Sequence, residues 1–571
     1  SSWRHMIRLC IVPAWLALAT ASATASEFPE SLIYSGNHEN GVFESLDFVN
    51  SVTGWDLFFN SGFRGGSTVV GNIEAGHVWS GHEAFVREPG ALNGITIFDS
   101  PAAGALDELD FHATMVGHVL AGSGYIPDNG GSYTYLGLGM APEAALVSGA
   151  VATGFSTTEA GSFTTTTESV VTVYESFFTG SGVAKPDVIN SSWGGSDPAA
   201  ASDESLAIDG LARQNASVAL VVSAGNGGSA VVGAPASGFN NISVGSLGGA
   251  DFLQPSTFSS RGTADLYNPV TDIVLNGVRP AVDIAAPGER MVLAAYLGGE
   301  GGIGAAIPGI VEDPVPTDQY FLNMDGTSFS APIVAGGISL LKDAANTLLA
   351  GNSEAMDTRV VKSVLMASST ATAGWDNGQD AMNVTTQALD FTTGAGAMNL
   401  VAAADVFYFG TTGIAGDHGG AIAESGWDTA TISLGDTIDW VFSSEFTQEM
   451  SVTVALNWFS VREFDGITDT GSDLAFSNLD LELWSVDAGG SFLSRIGASL
   501  SDYNNTEFLR IDSLTAGRYG FRVRFDEMIF DTTNTIDSEY LGLAWNAVVV
   551  PEPACAMLSL FGALLMVRRR R

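Results

Sequence analysis

Between about residues 54 and 404, short apolar runs alternate with longer stretches whose apolar residues recur every three to four positions. STVVGNI (67–73), AALVSGAV (144–151), PDVINSSW (186–193), SVALVVSAG (217–225) and NISVGSL (241–247) are rich in Val and Ile and read as strands. HATMVGHVLAG (112–122), SLAIDGLARQ (205–214), APIVAGGISLLKDAANTLL (331–349) and TRVVKSVLMAS (358–368) have helical spacing. This alternation predicts an α/β fold, a mostly parallel sheet with helices on both faces and its chemistry at the strand C-terminal ends. From about Thr429 the period falls to two. TISLGDTIDWVF, MSVTVALNW, LDLELWSV, EFLRIDSL, RYGFRVRF and LGLAWNA are joined by Gly, Asp, Asn and Ser turns, which predicts an all-β sandwich of jelly-roll type. The pattern divides the chain into segments at 1–25, 26–54, 55–408 (α/β domain), 409–428 (Gly-rich linker), 429–549 (β-sandwich) and 550–571.

Charge narrows the partners. Lys and Arg total 22 against 63 Asp and Glu, a formal charge of −41 over 571 residues. Such a surface repels phosphate backbones and anionic lipid, which argues against nucleic acid as a partner. It leaves structural calcium open, although no Asp/Asn spacing singles out a site, and nothing in the sequence requires a cofactor. Arg4 and Arg8, then LCIVPAWLALA, then SATAS read as a secretory signal cut after Ala25. At the other end, Pro551-Glu552-Pro553 precedes an uncharged run from Ala554 to Val567 and the cluster Arg568 to Arg571. This order resembles the PEP-CTERM sorting tails of Gram-negative bacteria. The resemblance implies an exosortase-type processing partner, a transmembrane helix held transiently in the inner membrane, and an extracellular or cell-surface destination. A plain tail anchor is the alternative. The two cysteines, Cys10 and Cys555, both lie in these end segments, so a doubly trimmed protein has no disulfide.

Candidate chemistry falls at the strand ends. In NMDGTSFSAPIVAGG (323–337), Ser328 opens an apolar helix, where free backbone N–H groups favour a developing oxyanion. On that local sequence alone a simple helix cap is the favoured reading, and the other segments shift the balance. DFHATMVGHVLAG places His112 at a helix start, VVSAGNGGS places Asn226 after a strand, and VVGNIEAGHVWSGHE (69–83) ends a strand at Glu74. A serine nucleophile needs a base, an acid to orient that base, and an oxyanion donor, and these residues supply one of each.

Together these segments resemble the subtilisin-like serine proteases. GTSFSAP matches the family signature around the nucleophile with Phe329 in place of Met, and HATMVGH resembles the His motif, keeping His112, Thr114 and Val116. GMAPEAAL, SAGN, FSSRG, AAPG and GAGAMN follow in the family's order, over about residues 55 to 404. The resemblance implies an endopeptidase acting on proteins or peptides, with Ser328 as nucleophile, His112 as general base and Asn226 as oxyanion donor. It also implies that Ser192, Trp193 and Gly194 form the strand that pairs with substrate. Ala113, Met115, Gly117 and His118 depart from the His motif, and Glu74 stands where the family has Asp.

Other readings compete. Four of seven histidines (His77, His82, His112, His118) fall within 42 residues, but no zinc-ligand motif joins them, and packing or surface roles are expected. One extra methylene at Glu74 makes a catalytically impaired surface or adhesion protein the alternative function, since a misplacement of about 1 Å can cost roughly 100-fold. Trp440, Trp458, Trp484 and Trp545 could stack on sugars, though core positions are the expected place for tryptophan in a sandwich.

Overall fold

The computed structural model describes residues 46–550, except 87–93, 124, 128–132, 136, 157–160, 297–309, 312–319, 414–418 and 468–469. The expected leader, the first part of the 26–54 segment and the expected sorting tail beyond Val550 lie outside the described residues. Among the described residues no helix is long and apolar enough to cross a membrane.

Strands β1 (Val69–Glu74), β2 (Ile95–Phe98), β3 (Ala145–Ala150), β4 (Val188–Ser191), β5 (Ala219–Ser223) and β6 (Ile242–Gly248) lie in the order β6–β5–β4–β1–β3–β2. All are parallel, β7 (Ile284–Pro287) adds parallel to β6, and only the short Gln254–Pro255 pairs antiparallel. The helices follow from capping and burial. Asp110 caps α1 (Phe111–Ala121), Thr166 and Ser169 close a reciprocal capping box on α2 (Thr167–Thr179), and Ser202 caps α3 (Asp203–Gln214). Helix α4 (Thr327–Leu348) is buried on every side from Thr327 to Ala345 and runs through the core, while α5 (Thr358–Ala367) flanks it. The strands alternate sides. Val70, Leu146, Val188 and Val221 pack with α1, α4 and α5, whereas Ile73, Val147, Ile189 and Val222 pack with α2 and α3.

The C-terminal region is two largely antiparallel sheets. One holds Ser425–Ser433, Ser538–Val549, Met450–Trp458 and Thr506–Leu514; the other centres on Thr470–Val486 and Tyr519–Asp531. Their inward residues, among them Trp440, Leu481, Phe521, Val523, Leu543 and Trp545, share one apolar core. The stretch expected as a linker behaves differently. Gly420–Ile422 and Ser425–Ser433 are strands, because Trp427 is wholly buried and donates its Nε1–H to the Phe407 carbonyl at 3.0 Å, pulling its neighbours into the sheet. Val384–Thr385, from the α/β part, also joins a sandwich sheet by pairing with Phe492–Ser499.

The two parts therefore share their interior. Trp427, Ala455, Phe508 and Ala544 belong to the same apolar cluster as α4 and α5, and Phe476 and Phe530 pack with Phe239 and Leu266. A buried ion network crosses the junction. Arg462 donates to Asp209 of α3 at 3.0 Å, to the Ala200 carbonyl at 2.6 Å and to Asp473 at 2.9 Å. The charges of Asp473 and Asp209 overcome the cost of burying Arg462 and raise its pKa.

Candidate active site

Five segments converge at the C-terminal edge of the sheet. β1 ends at Glu74, and β4 runs out into Ser192 and Trp193. Asn226 follows β5 after Gly225, whose φ of +100° permits the sharp exit from the strand. His112 is the second residue of α1 and Ser328 the second of α4, so both helix N-termini point their unsatisfied N–H groups toward this edge.

The Glu74 carboxylate is 1% exposed and makes two contacts. Oε2 accepts from His112 Nδ1 at 2.9 Å, and Oε1 accepts from the Ser192 N–H at 2.8 Å. The extra methylene relative to Asp thus still reaches the imidazole. With Nδ1–H donated to the carboxylate, the proton assignment leaves Nε2 as the ring's lone-pair acceptor. Desolvation pulls the His112 pKa down, but the Glu74 charge and hydrogen bond, helped by the Asp110 charge, overcome it, and the pKa lies above the usual imidazole value. Asp110 itself is pushed up to about 6, first by burial and then by the Glu74 charge, with His112 and the Ala113 N–H opposing.

Ser328 is 8% exposed, and its hydroxyl donates to the Ser192 carbonyl at 3.4 Å, a long contact of the kind found in unliganded sites. Asn226 turns its carbonyl oxygen to Thr327, accepting from the backbone N–H at 2.9 Å and from the hydroxyl at 2.8 Å. Its NH₂ is the end left to donate, beside Ser328 in a cavity of about 270 Å³ that Ser192, Trp193 and Gly194 also line. The two helix starts are close: the His112 ring lies 6.2 Å, centroid to centroid, from that of Phe329, the residue after Ser328.

The structure thus brings Glu74, His112, Asn226, Ser328 and the Ser192–Gly194 segment into one cleft. It also shows residues that the sequence reading missed. Asn190 donates to the Ser192 hydroxyl at 3.0 Å and to Asn72 at 3.3 Å, and Asn72 donates to the Ala113 carbonyl at 3.3 Å. The Ser192 hydroxyl in turn donates to the Ser328 carbonyl at 2.9 Å. This chain ties β1, β4, α1 and α4 together beneath the cleft. The available signal was a buried-type strand carrying Asn where Val or Ile would fit.

The other three clustered histidines pack. His118 donates from Nε2 to the Gly137 carbonyl at 2.7 Å and accepts the Ala294 N–H at Nδ1, and burial lowers its pKa to about 3. His77 sits between Asp107 and Ser148, and His82 Nδ1 accepts from the Ala84 N–H. A side chain at Gly117 would meet Val78 at 2.8 Å, which is why the helix carries glycine there. In the sandwich, Trp440, Trp458 and Trp545 are core residues, and only Trp484 is partly exposed.

The profile of the subtilase family (peptidase S8) matches residues 98–396, just over half of the chain. The chain belongs to the subtilase family. His112, Asn226 and Ser328 of this subtilase lie within the matched span, and Glu74 lies upstream of it. Two solved structures illustrate the likeness. The prenylagaramide maturation protease PagA is 21% identical over 61% of this chain and 96% of its own, with a TM-score of 0.40. The self-cleaved protease domain of PatA is 21% identical over 59% and 95%, with a TM-score of 0.39. No curated protein matches. The subtilase is a subtilisin-like serine peptidase, and its substrates are proteins or peptides.

Proposed function

We propose that this subtilase is an exported endopeptidase that works through an acyl-enzyme on Ser328, with a Ser-His-Glu triad. The observation that carries the reading is the Glu74 carboxylate bridging His112 Nδ1 at 2.9 Å and the Ser192 N–H at 2.8 Å. That bridge fixes the imidazole against the segment whose carbonyl already touches Ser328. In the proposed cycle, Ser328 Oγ attacks the scissile carbonyl and His112 Nε2 takes its proton. The tetrahedral oxyanion accepts from the Asn226 NH₂ and from the N-terminus of α4. Collapse passes the proton from His112 to the leaving amine, and water repeats the sequence to release the acid. Ser192, Trp193 and Gly194 offer backbone groups to an extended substrate. The 2.9 Å contact supports an active enzyme over an impaired relative, because the longer acid was the ground for that alternative.

A fluorophosphonate probe tests the chemistry. Labelling at Ser328, lost in His112→Ala, is the expected result; an unlabelled native protein would remove the acyl-enzyme mechanism. We further propose export through the leader and sorting through the Pro-Glu-Pro tail, with an exosortase-type enzyme as partner. Mass spectrometry of the secreted protein should show residues 1–25 and Arg568 to Arg571 removed; an intact arginine cluster would indicate a plain anchor.

A further inference from the structure

Helix α2 is seated close against the sheet because two strands carry glycine where it crosses them. A Cβ at Gly71 of β1 would come within 2.8 Å of Phe177, and one at Gly149 of β3 within 2.8 Å of Phe177 and Val173. The start of the helix is fixed as well, since Ser169 donates its hydroxyl to the Val151 carbonyl at 2.8 Å. This seating brings Tyr174, wholly buried on α2, beneath the end of β4.

Successive residues of a strand point to opposite faces, and β4 uses both as it leaves the sheet. Ser191 and Trp193 turn toward α2. Tyr174 Oη lies 2.7 Å from Ser191 Oγ, and its ring lies 6.5 Å, centroid to centroid, from that of Trp193. The Trp193 Nε1–H is buried without a hydrogen bond of good geometry, and the Tyr174 hydroxyl is the acceptor within its range. Ser192, between them, faces the chemistry. Its N–H holds Glu74 at 2.8 Å, and its carbonyl accepts from the Ser328 hydroxyl at 3.4 Å. One tyrosine thus anchors both neighbours of the residue that touches acid and nucleophile. Burial raises the Tyr174 pKa, so the hydroxyl keeps its proton and is an uncharged tether. Packing alone does not call for that hydroxyl, because a phenyl ring fills nearly the same volume without a polar group to bury.

We propose that Tyr174 is a positioning residue of the peptidase, which sets Ser192 against Glu74 and Ser328 by holding Ser191 and Trp193 from beneath the sheet. The proposal rests on the endopeptidase reading and adds to it a residue that touches neither substrate nor triad. Since a misplacement of about 1 Å can cost roughly 100-fold, the smaller shift released by losing one tether should cost on the order of tenfold. The contacts of Ser192 with Glu74 and Ser328 are made without any peptide in the cleft. The loss therefore falls on the chemistry and shows with reagents too small to pair with the strand.

Tyr174→Phe keeps the ring and removes the hydroxyl. The rate of Ser328 labelling by a small fluorophosphonate without a peptide chain should fall about tenfold, and kcat for a peptide should fall with it, while KM stays within about threefold. Ser191→Ala should lower the same rates, and the double variant should match Tyr174→Phe, because the two hydroxyls act through one bond. Ser169→Ala is the control for mere support of α2: its urea midpoint should drop while its labelling rate stays within about twofold. Unchanged labelling in Tyr174→Phe, losses that multiply in the double variant, or an equal loss in Ser169→Ala overturns the proposal. Failure of the peptidase reading itself shows differently, as a native protein that takes no label, and it removes this proposal as well.

Discussion

The α/β region and the sandwich bury their interiors by opposite means. In the sandwich, Trp440, Trp458 and Trp545 are among the largest wholly buried side chains, and bulk fills the space between the sheets. In the α/β region the central helix is lined with small residues, and a Cβ at Gly336 would come within 2.2 Å of Met140. Around the cleft, the interior is polar: Asn72, Asn190 and Ser192 are 0–5% exposed, and each is tied to another strand or helix by hydrogen bonds. Close backbone approach lets short side chains from four segments meet at one point. The sandwich contributes stiffness instead, through a shared core and the Arg462 network. The difference teaches that the sandwich is a buttress of the enzyme and not a tethered accessory.

The strongest way to break this comparison is to remove the sandwich. Ending the chain after Phe409 exposes the α4–α5 surface covered by Trp427 and Phe508, and burial of each large side chain is worth about 1.5–3 kcal/mol. Against a total stability of about 5–15 kcal/mol, the truncated protein should be insoluble or unfolded by circular dichroism. A soluble, probe-reactive fragment would make the sandwich a true accessory module. Next in size are changes at the cleft. Ser328→Ala should abolish labelling, and Glu74→Gln should lower kcat/KM by about 10²–10⁴, since the acid holds the productive tautomer. Near-native turnover in Glu74→Gln would exclude Glu74 from the triad.

At the junction, Arg462→Met leaves two buried carboxylates without their cation, which should cost about 3–5 kcal/mol in urea unfolding. A loss below about 1 kcal/mol would mean that the shared apolar core alone holds the two parts together. A smaller effect belongs to Asp110. Its folded pKa of about 6 lies above the ordinary 3.8, so its stabilising contribution is present below pH 3.8 and lost as pH rises through 6. Asp110→Asn keeps an N-cap, and should therefore stabilise the protein at pH 8 relative to wild type and not at pH 3.5. The same change removes a charge that raises the His112 pKa, so the acidic limb of the kcat/KM profile should move to lower pH. An unmoved limb would show that Asp110 does not act on the base. The smallest effect is expected at Trp484, partly exposed on the sandwich: Trp484→Ala should leave peptide turnover within about twofold, as surface changes away from a site usually do.

Much of this was legible beforehand. The β1, β3, β4, β5 and β6 runs were readable because strands covered on both faces are continuous in Val, Ile and Leu. Helix α2 was not, since TTTTESVVTVYESFF is β-branched through most of its length. The Thr166–Ser169 capping box and burial of Val170, Val173, Tyr174 and Phe177 override that preference. The expected linker differs for a similar reason: its glycines signal turns, while burial of Trp427 makes the chain there strand.

By itself the sequence determined the period of each region, the order of its segments and the identity of the reactive side chains, because these are local properties of composition and spacing. It also carried the resemblance that named the candidate nucleophile, base and oxyanion donor. Tertiary structure alone decided whether Glu74 reaches His112, since an acid 38 positions away can only be judged when β1 and α1 are packed. It alone joined Asn72 to Ser328 through Asn190 and Ser192, and fused the sandwich core with that of the peptidase. Each of these depends on distances between residues far apart in the chain, which follow from packing and not from local preference.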